Sequence, residues 1–351
     1  MTIPDLTDLL NGLPLPVVLV DKNERISQVN GLASSMLGAE ILGRHFITGL
    51  RQPGLLDAIE QVFVSHSTKR TRYQGREGDQ DVTWDVTCAA FRDTGGQFAG
   101  VMISFTDVSD LENAVAMRRD FVANVSHELR TPLTALSGFI ETLNGAAKDD
   151  PAARARFLGI MENEASRMNR LVGDLLSLSR VESDERMRPT DEVGIGALLR
   201  SVTQVLKPLA TDQNCDLLLN LPESDVILTG DRDQLQQVFT NLIENALKYG
   251  GRNKSVSITT EMFDNDPLLR APTIRILVQD QGEGIAAEHI PRLTERFYRI
   301  DGHRSREMGG TGLGLAIVKH IINRHRGRLR IESAPGQGSC FTVILRREKQ
   351  A

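Results

Sequence analysis

The stretch "FVANVSHELRTPLTAL", residues 121–136, combines apolar residues at helical spacing with a histidine, an acid and an internal proline. Apolar side chains occupy heptad positions a and d before, within and after this stretch: Val115, Val122, Val125, Leu129, Pro132, Leu136, Phe139 and Leu143. After "NGAAKDDP" a second stripe has the same spacing: Phe157, Met161, Met168, Leu171, Leu175 and Leu178. Residues 109–186 are therefore predicted to form an antiparallel helical hairpin. A lone hairpin cannot bury both stripes, so we expect a dimeric four-helix bundle.

The register of the first helix predicts an exposed histidine. With Val122 at position a, His127 falls at f, which points away from the bundle core. Glu128 can accept the proton of one ring nitrogen and leave the other more nucleophilic. Pro132 lacks the N–H that would bond the Glu128 carbonyl, which predicts a loosened backbone and a bend. An idle surface histidine is as common as a reactive one, but these neighbours favour a reactive one.

Residues 1–108 are predicted to form a small α+β domain. Strands "VVLVD" and "ISQVN" flank the turn "KNER", and "GLASSMLG" reads as a short helix. The segment "DVTWDVTCAAF" alternates apolar residues on one strand face, and "VMISFTDV" forms the last strand. This order resembles a PAS sensor domain. His45 and His66 are expected to be surface or core residues and Cys88 lacks a flavin-adduct context, so we expect no cofactor there.

Residues 192–351 alternate helices and strands, which predicts a helix-on-sheet α/β sandwich. In "NLIENALKYG", Asn241, Asn245 and Lys248 share one helix face, where amide oxygens and an ammonium suit Mg²⁺ and phosphate oxygens. A plain polar helix face is as good an explanation of this motif alone. Glu244 is predicted to lie on a different face, at the surface.

Two glycine-containing motifs follow in the same domain. "DQGEGI" places Asp280 after an apolar strand, where its carboxylate can accept from an adenine amino group while Gly282 and Gly284 allow close approach to the ring. "GGTGLGLAIVKHI" places several glycines at a helix start, where N–H groups and the helix dipole favour phosphate. Neither motif has Rossmann or Walker spacing.

The box "SHELRTPLT" resembles the phosphoacceptor box of the sensor histidine kinases. The resemblance implies that His127 is the phosphoacceptor, that Glu128 accepts its proton, and that Thr131 helps to position water for dephosphorylation of a response regulator. The chain looks closest to the phosphate-regulon sensor kinases of bacteria, which implies a role in phosphate-limitation signalling.

The C-terminal motifs, with "ERFYRID" around Phe297 and "APGQGSCF", resemble the GHKL (Bergerat) ATP-binding fold. This resemblance implies ATP and Mg²⁺ as cofactors, with Asn245 as the metal ligand. A cationic lid is predicted between Phe297 and Gly309, with Arg304 and Arg306 near the nucleotide. The implied nucleotide-binding residues are Asn241, Asn245, Lys248, Tyr249, Asp280, Gly282, Gly284, Gly310, Thr311, Gly312, Leu313 and Gly314.

We therefore expect an α+β multidomain protein-histidine kinase that phosphorylates His127 and transfers the phosphoryl group to an aspartate of a response regulator. The resemblance implies a homodimer, and an association with membrane transport or regulatory proteins. One alternative is a GHKL-type ATPase, but those enzymes carry a glutamate where this chain has Asn241. The other is a non-catalytic, PAS-containing dimeric scaffold, which the complete set of motifs disfavours.

Composition limits the partners and the compartment. A net charge of −5 and a pI near 5.9 predict no direct nucleic-acid binding. The three scattered cysteines favour a reducing cytosol over disulfides or a zinc site. The apolar run "LPLPVVLV" is shorter than the roughly 20 residues that span a bilayer, so we expect a cytoplasmic chain without a transmembrane segment, although family members are often anchored in the inner membrane.

Overall fold

The computed structural model describes residues 6–77, 80–183, 187–222, 225–251, 253–300 and 310–347. Its contacts divide the chain into two compact units, Met1–Ala123 and Asn124–Ala351. The helices are α1 (Leu6–Asn11), α2 (Gly31–Leu37), α3 (Phe46–Leu50), α4 (Pro53–Ser65), α5 (Ser109–Asn144), α6 (Pro151–Ser183), α7 (Ile195–Asp212), α8 (Arg232–Tyr249) and α9 (Gly314–Arg324). The strands are β1 (Val17–Asp21), β2 (Ile26–Val29), β3 (Lys69–Glu77), β4 (Gln80–Arg92), β5 (Phe98–Asp107), β6 (Glu192–Gly194), β7 (Asp216–Asn220), β8 (Ile227–Thr229), β9 (Ser255–Asp266), β10 (Ala271–Gln279), β11 (Arg328–Ser333) and β12 (Ser339–Arg346).

The first unit is built on an antiparallel five-stranded sheet of order β2-β1-β5-β4-β3. Helices α2, α3 and α4 lie between β2 and β3 in the chain and pack on one face of the sheet. The core under them contains the alternating residues of β4 that the sequence predicted to share a face: Val82, Trp84, Val86 and Cys88. Helix α1 contributes Leu10 to a smaller apolar cluster with Val17 and Leu19.

The two histidines of this unit have structural contacts. His45 caps α3 by accepting from the Ile47 N–H at 3.4 Å, and its Nε2 lies 2.9 Å from a Glu24 carboxylate oxygen. His66 ends α4 with a φ of 53° and stacks on Phe98 at 4.4 Å between ring centroids. Burial raises the pKa of the Cys88 thiol to about 12, so this sulfur stays protonated at neutral pH.

The second unit begins with the C-terminal part of α5 and contains the whole of α6. The predicted hairpin is confirmed, with its turn between Asn144 and Pro151 and with the Phe139 and Phe157 rings 5.4 Å apart. Leu171 and Leu178 of α6 are buried, and α6 packs on α9. The other predicted a and d residues of α5 and α6 between residues 124 and 183 are only half-buried in the single chain, apart from Pro132. The hairpin therefore keeps a partly exposed apolar stripe.

The remainder of this unit is the predicted α/β sandwich. Its sheet has the order β11-β12-β10-β9-β7, with a parallel pair between β7 and β9 and antiparallel pairs elsewhere. Helices α7, α8 and α9 pack on this sheet, and β6 and β8 form a separate two-stranded ladder. Among the described residues, no helix combines the length and the apolar character that crossing a membrane requires.

Helix α8 has a buried apolar face and a half-buried polar edge. The Asp231 side chain caps it by accepting the Gln234 N–H at 3.1 Å. Seven apolar residues at i, i+3 and i+4 spacing face the core: Leu235, Val238, Phe239, Leu242, Ile243, Ala246 and Leu247. Asn241, Asn245 and Lys248 are consequently left at the half-buried edge of the helix.

Substitution of Gly284 by alanine is expected to destabilise the sandwich by about 3 kcal/mol. Gly284 has a φ of +72°, and a Cβ there would lie 1.9 Å from the Ala334 carbonyl oxygen. Gly336→Ala is the matched control, because Gly336 has a φ of +81° with open space around it and should lose only about 1 kcal/mol. Urea unfolding of the full chain measures both. Equal losses for the two variants would show that the backbone overlap at Gly284 is readily relieved.

Candidate functional site

His127, the predicted phosphoacceptor, lies on α5, and its side chain is exposed, as its heptad position predicted. Thr131, one turn later, is also exposed, and its hydroxyl donates to the His127 carbonyl at 3.2 Å. Thr134 donates to the Arg130 carbonyl in the same way, at 3.0 Å. The hydroxyl oxygen of Thr131 retains lone pairs that can accept a hydrogen bond from water.

The carboxylate of Glu128 connects the hairpin to the α/β sandwich. Its Oε2 lies 2.8 Å from Arg167 Nη2 on α6 and 3.4 Å from Arg299 Nη2. The same Nη2 of Arg299 donates to the carbonyl oxygen of Gly310. Only 18% of the Glu128 side chain is exposed, so these charges meet where water screens them weakly. The helix that carries His127 is thereby held against the start of the glycine segment.

Pro132 is the one buried residue of α5. The helix continues through it from Ser109 to Asn144, so the loosened backbone does not interrupt the helix. Together with Glu128, Arg167 and Thr311, Pro132 lines a narrow crevice where the hairpin meets the sandwich.

The polar edge of α8 lies beside the start of α9. Asn241 Nδ2 donates to the Gly314 carbonyl at 3.3 Å, and a Cβ on Gly314 would lie 3.7 Å from the Asn241 amide. Asn245 follows one turn later and is half-buried. Lys248 Nζ lies 2.7 Å from a carboxylate oxygen of Glu244, whose side chain is 29% exposed. An i,i+4 pair between these two side chains accounts for its position.

Asp280 is buried, with 4% of its surface exposed. Its Oδ1 accepts the Gly282 N–H at 2.7 Å and the Ser339 N–H at 3.2 Å. Burial raises the pKa of this carboxyl, while the two backbone donors act in the opposite direction. Within the described part of the chain no donor reaches Oδ2. A buried carboxylate with one oxygen fixed and the other open fits a ligand amino group such as that of adenine.

Gly282 and Gly312 are needed for close backbone contacts within the protein, which the sequence did not reveal. A Cβ on Gly282 would lie 2.4 Å from the Tyr249 carbonyl oxygen, so this glycine allows the loop to pack on the end of α8. Gly312, with a φ of +73°, accepts from the Phe297 N–H at 2.8 Å, and a Cβ there would meet the Phe297 backbone at 2.9 Å. These glycines are thus required by contacts within the protein, whatever the ligand. Tyr249 itself is 43% exposed.

Helix α6 contributes an acid to the same region. The Thr311 hydroxyl donates to Asp174 Oδ2 at 2.6 Å, and the Leu313 N–H donates to Thr311 Oγ1 at 3.3 Å. Burial raises the pKa of the Asp174 carboxyl, and the charge of Glu244 raises it further, against the bond from Thr311 and the charges of Arg170 and Lys248. Asp174 therefore lies close to the cation of α8 as well as to the glycine segment.

Further polar contacts hold α6 against the sandwich. Arg296 Nη2 donates to Glu182 Oε1 at 2.6 Å, and the Ser177 hydroxyl donates to Gln237 at 2.7 Å. The predicted lid residues Arg304 and Arg306, and Gly309, lie outside the described residues.

Two segments of the chain match known protein families. Residues 117–184 match the His Kinase A (phospho-acceptor) domain, and residues 230–349 match the Histidine kinase-, DNA gyrase B-, and HSP90-like ATPase family. A sensor protein kinase WalK of Staphylococcus aureus is 32% identical over 332 residues, which are 94% of this chain and 77% of that protein. The chain belongs to the sensor histidine kinases.

Two further proteins are similar to this histidine kinase chain. The phosphate regulon sensor protein PhoR of Pseudomonas aeruginosa is 42% identical over 236 residues, which are 67% of this chain and 52% of PhoR. The chain thus spans about half the length of PhoR, and 53% of a longer WalK. The crystal structure of histidine kinase ThkA in complex with response regulator protein TrrA has a TM-score of 0.54 at 23% identity, covering 99% of this chain and 100% of ThkA. That likeness shows a shared fold.

Sequence reasoning missed the side chains that join hairpin and sandwich in this histidine kinase chain. Arg299 lies in "ERFYRID", the segment that was used only to place Phe297, and its charge in an otherwise matched motif was the available signal. Arg167 and Asp174 lie on the polar side of the second heptad stripe, where charged residues are ordinarily solvated. No feature of the local sequence distinguishes them from other surface charges.

Proposed function

We propose that this chain is an ATP-dependent protein-histidine kinase that phosphorylates His127 and passes the phosphoryl group to an aspartate of a response regulator. The contact that runs from Glu128 through Arg299 to Gly310 carries this proposal. It links the helix of an exposed histidine to the edge of the glycine segment within one chain. Family membership supports the same reaction.

In the proposed nucleotide site, Asp280 Oδ2 accepts from the adenine amino group while Oδ1 stays fixed by backbone donors. The amides of Asn241 and Asn245 and the ammonium of Lys248 face the phosphates along one helix edge. Asn245 provides a hard oxygen ligand for Mg²⁺, which would neutralise phosphate charge. Residues Gly310–Gly314 offer backbone N–H groups near the start of α9.

The proposed transfer step uses the exposed imidazole as nucleophile. A ring nitrogen of His127 attacks the γ-phosphorus in line, the bond to the bridging oxygen breaks, and ADP leaves with that electron pair. The second ring nitrogen loses its proton to Glu128. Arg167 and Arg299 both hold this carboxylate through its Oε2.

The downstream partner is proposed to be a receiver domain. Thr131, exposed one turn after His127, positions water in the opposing activity, the hydrolysis of the aspartyl phosphate of that receiver to inorganic phosphate. The likeness to ThkA, which was solved with its response regulator, supports this partner. The identity with PhoR supports a role in phosphate-limitation signalling, with membrane transport or regulatory proteins as further partners.

The first unit is proposed to be a PAS-like sensor domain, with residues 1–108, 109–186 and 192–351 as the three functional domains. Its five-stranded antiparallel sheet with helices between β2 and β3 supports this assignment. The half-buried apolar stripe of the hairpin supports a homodimeric four-helix bundle. The three free cysteines support a cytoplasmic location.

The deciding experiment is incubation of the full chain with γ-labelled ATP and Mg²⁺, with EDTA in a parallel sample. We expect protein-bound label that is lost in acid and stable in alkali, and that moves to an added receiver domain. Phosphate release without protein label would instead favour the GHKL-type ATPase. Neither label nor nucleotide binding would favour the non-catalytic scaffold.

Substitution of Asp174 by alanine is expected to tighten ATP binding several-fold. The Asp174 carboxylate accepts the hydrogen bond of the Thr311 hydroxyl and adds a negative charge near Lys248. Its charge therefore repels a polyphosphate bound at the same place. Titration with a fluorescent ATP analogue measures the affinity, with the exposed Asp149→Ala as control. Weaker binding in Asp174→Ala would show that Asp174 supports the nucleotide site.

A further inference from the structure

A second pocket of the Asn124–Ala351 unit, of about 230 Å³, has a different composition from the nucleotide site. It lies where the segment before β6, the C-terminal end of α9 and the end of β12 meet. The residues that line it are Arg188, Pro189, Thr229, Arg324, His325, Arg326, Arg346 and Arg347. None of them is among the predicted nucleotide-binding residues.

Positive charge exceeds negative charge around this pocket. Of its five arginines, Arg324 pairs with Asp231 at 3.1 Å and Arg347 pairs with Asp264. Across the described ranges, no carboxylate oxygen lies within 4.0 Å of the guanidinium groups of Arg188, Arg326 or Arg346. An excess of three positive charges therefore surrounds one cavity in a chain whose net charge is −5. Mutual repulsion of these groups disfavours the arrangement unless an anion joins them.

Hydrogen bonds between the side chains of Arg324 and His325 and backbone groups hold the segments around the pocket together. Arg324 Nε donates to the Met187 carbonyl at 3.0 Å, which ties the segment before β6 to α9. His325 Nε2 accepts the Asp231 N–H at 3.0 Å, so its Nδ1 carries the proton and donates to the Ile321 carbonyl at 2.8 Å. Burial lowers the pKa of His325, which keeps the ring neutral at pH 7.

Arg326 occupies an unusual backbone position at the pocket. Its φ is 51°, in the left-handed region that long side chains seldom adopt. The next residue, Gly327, fixes this turn, because a Cβ there would lie 2.5 Å from the Ile344 carbonyl oxygen. The side chain of Arg326 is exposed and lines the pocket, and the packing of Gly327 fixes the turn that carries it.

We propose that this pocket binds a small, multiply charged phosphate anion of about the size of pyrophosphate. Guanidinium groups bind phosphate oxygens through paired N–H donors, and an anion of two or more charges relieves the repulsion among Arg188, Arg326 and Arg346. The volume corresponds to about seven or eight waters, and it is below the ~300 Å³ at which pockets for drug-sized ligands begin. A phosphate or diphosphate fits this volume.

A bound anion would join two parts of the chain. Arg188 belongs to the segment between α6 and β6, while Arg326 and Arg346 belong to the sandwich. The anion therefore restrains the connection between the hairpin and the sandwich. Amide hydrogen exchange at residues 187–190 should slow when it binds.

Calorimetric titration of the full chain with pyrophosphate, orthophosphate and sulfate, without Mg²⁺, tests the proposal. We expect pyrophosphate to bind most tightly, and Arg188→Gln and Arg326→Gln each to weaken it about tenfold or more. Arg328→Gln, an exposed arginine on β11 outside the pocket, should leave the affinity unchanged. Asn245→Ala should also retain it, which separates this pocket from the nucleotide site.

Three outcomes overturn the proposal. The first is the absence of pyrophosphate binding to the wild-type chain. The second is an equal loss of affinity in Arg328→Gln, which would indicate general attraction by surface charge. The third is binding that is lost in Asn245→Ala and kept in Arg326→Gln, which would assign the anion to the nucleotide site.

Discussion

Replacement of His127 by glutamine is expected to lower the incorporation of label from γ-labelled ATP by roughly three orders of magnitude or more. Glutamine has no nucleophilic ring nitrogen, so the P–N bond cannot form. Because the imidazole is exposed, the variant should unfold at the wild-type temperature and bind ATP with unchanged affinity. Acid-labile label on the full chain, measured beside thermal unfolding and nucleotide titration, gives all three results.

The matched control for His127→Gln is Glu141→Gln, an exposed position later on the same helix. It should retain wild-type labelling. Undiminished acid-labile label in His127→Gln would mean that another histidine accepts the phosphoryl group. Loss of ATP binding together with labelling would mean that the substitution disturbs the contact between Glu128 and Arg299 rather than the nucleophile.

Replacement of Asp280 by asparagine is expected to weaken ATP binding by roughly 100-fold. The amide oxygen of the new side chain can still accept from Gly282 and Ser339, so the loop should keep its conformation. The amide nitrogen then points a donor, in place of an acceptor, toward the adenine amino group. Titration with ATP measures the loss, and the exposed Asp212→Asn serves as control.

The stability of the Asp280→Asn variant distinguishes this reading from simple misfolding. Burial raises the pKa of Asp280 above its ordinary 3.8, so the folded state holds the proton more tightly than the unfolded state. Ionisation of Asp280 therefore destabilises the fold, a contribution that is absent below the unfolded pKa and complete above the folded pKa. At neutral pH, Asp280→Asn should unfold no earlier than wild type. A clearly lower unfolding temperature would assign Asp280 a structural role instead.

Local pattern was sufficient for the elements and for the exposed histidine. The heptad that placed His127 at position f predicted its exposure, because side-chain direction on a helix follows directly from residue spacing. The alternation in β4 and the apolar spacing in α8 predicted which faces are buried for the same reason. The edge that carries Asn241, Asn245 and Lys248 follows from the buried face of α8.

Pairings between distant segments were not predictable from such patterns. Nothing in the sequence of α8 indicated that Asp174 of α6 would lie near Glu244 and Lys248. Gly282 and Gly284 were assigned to contact with a ligand, whereas the carbonyls of Tyr249 and Ala334 already exclude a Cβ at those positions. In both cases the deciding neighbour lies on another element.

The sequence by itself determined the helical hairpin, the α/β sandwich, the exposed histidine and the motifs that point to nucleotide binding. These features depend on the 3.6-residue and two-residue periods of helix and strand, which are local properties of the chain. Only the tertiary structure decided that Arg299 joins Glu128 to Gly310, that Thr311 bonds Asp174, and that five arginines surround one pocket. Such contacts depend on how separate elements pack, and charged residues at a surface carry no local signal of the partner they will meet.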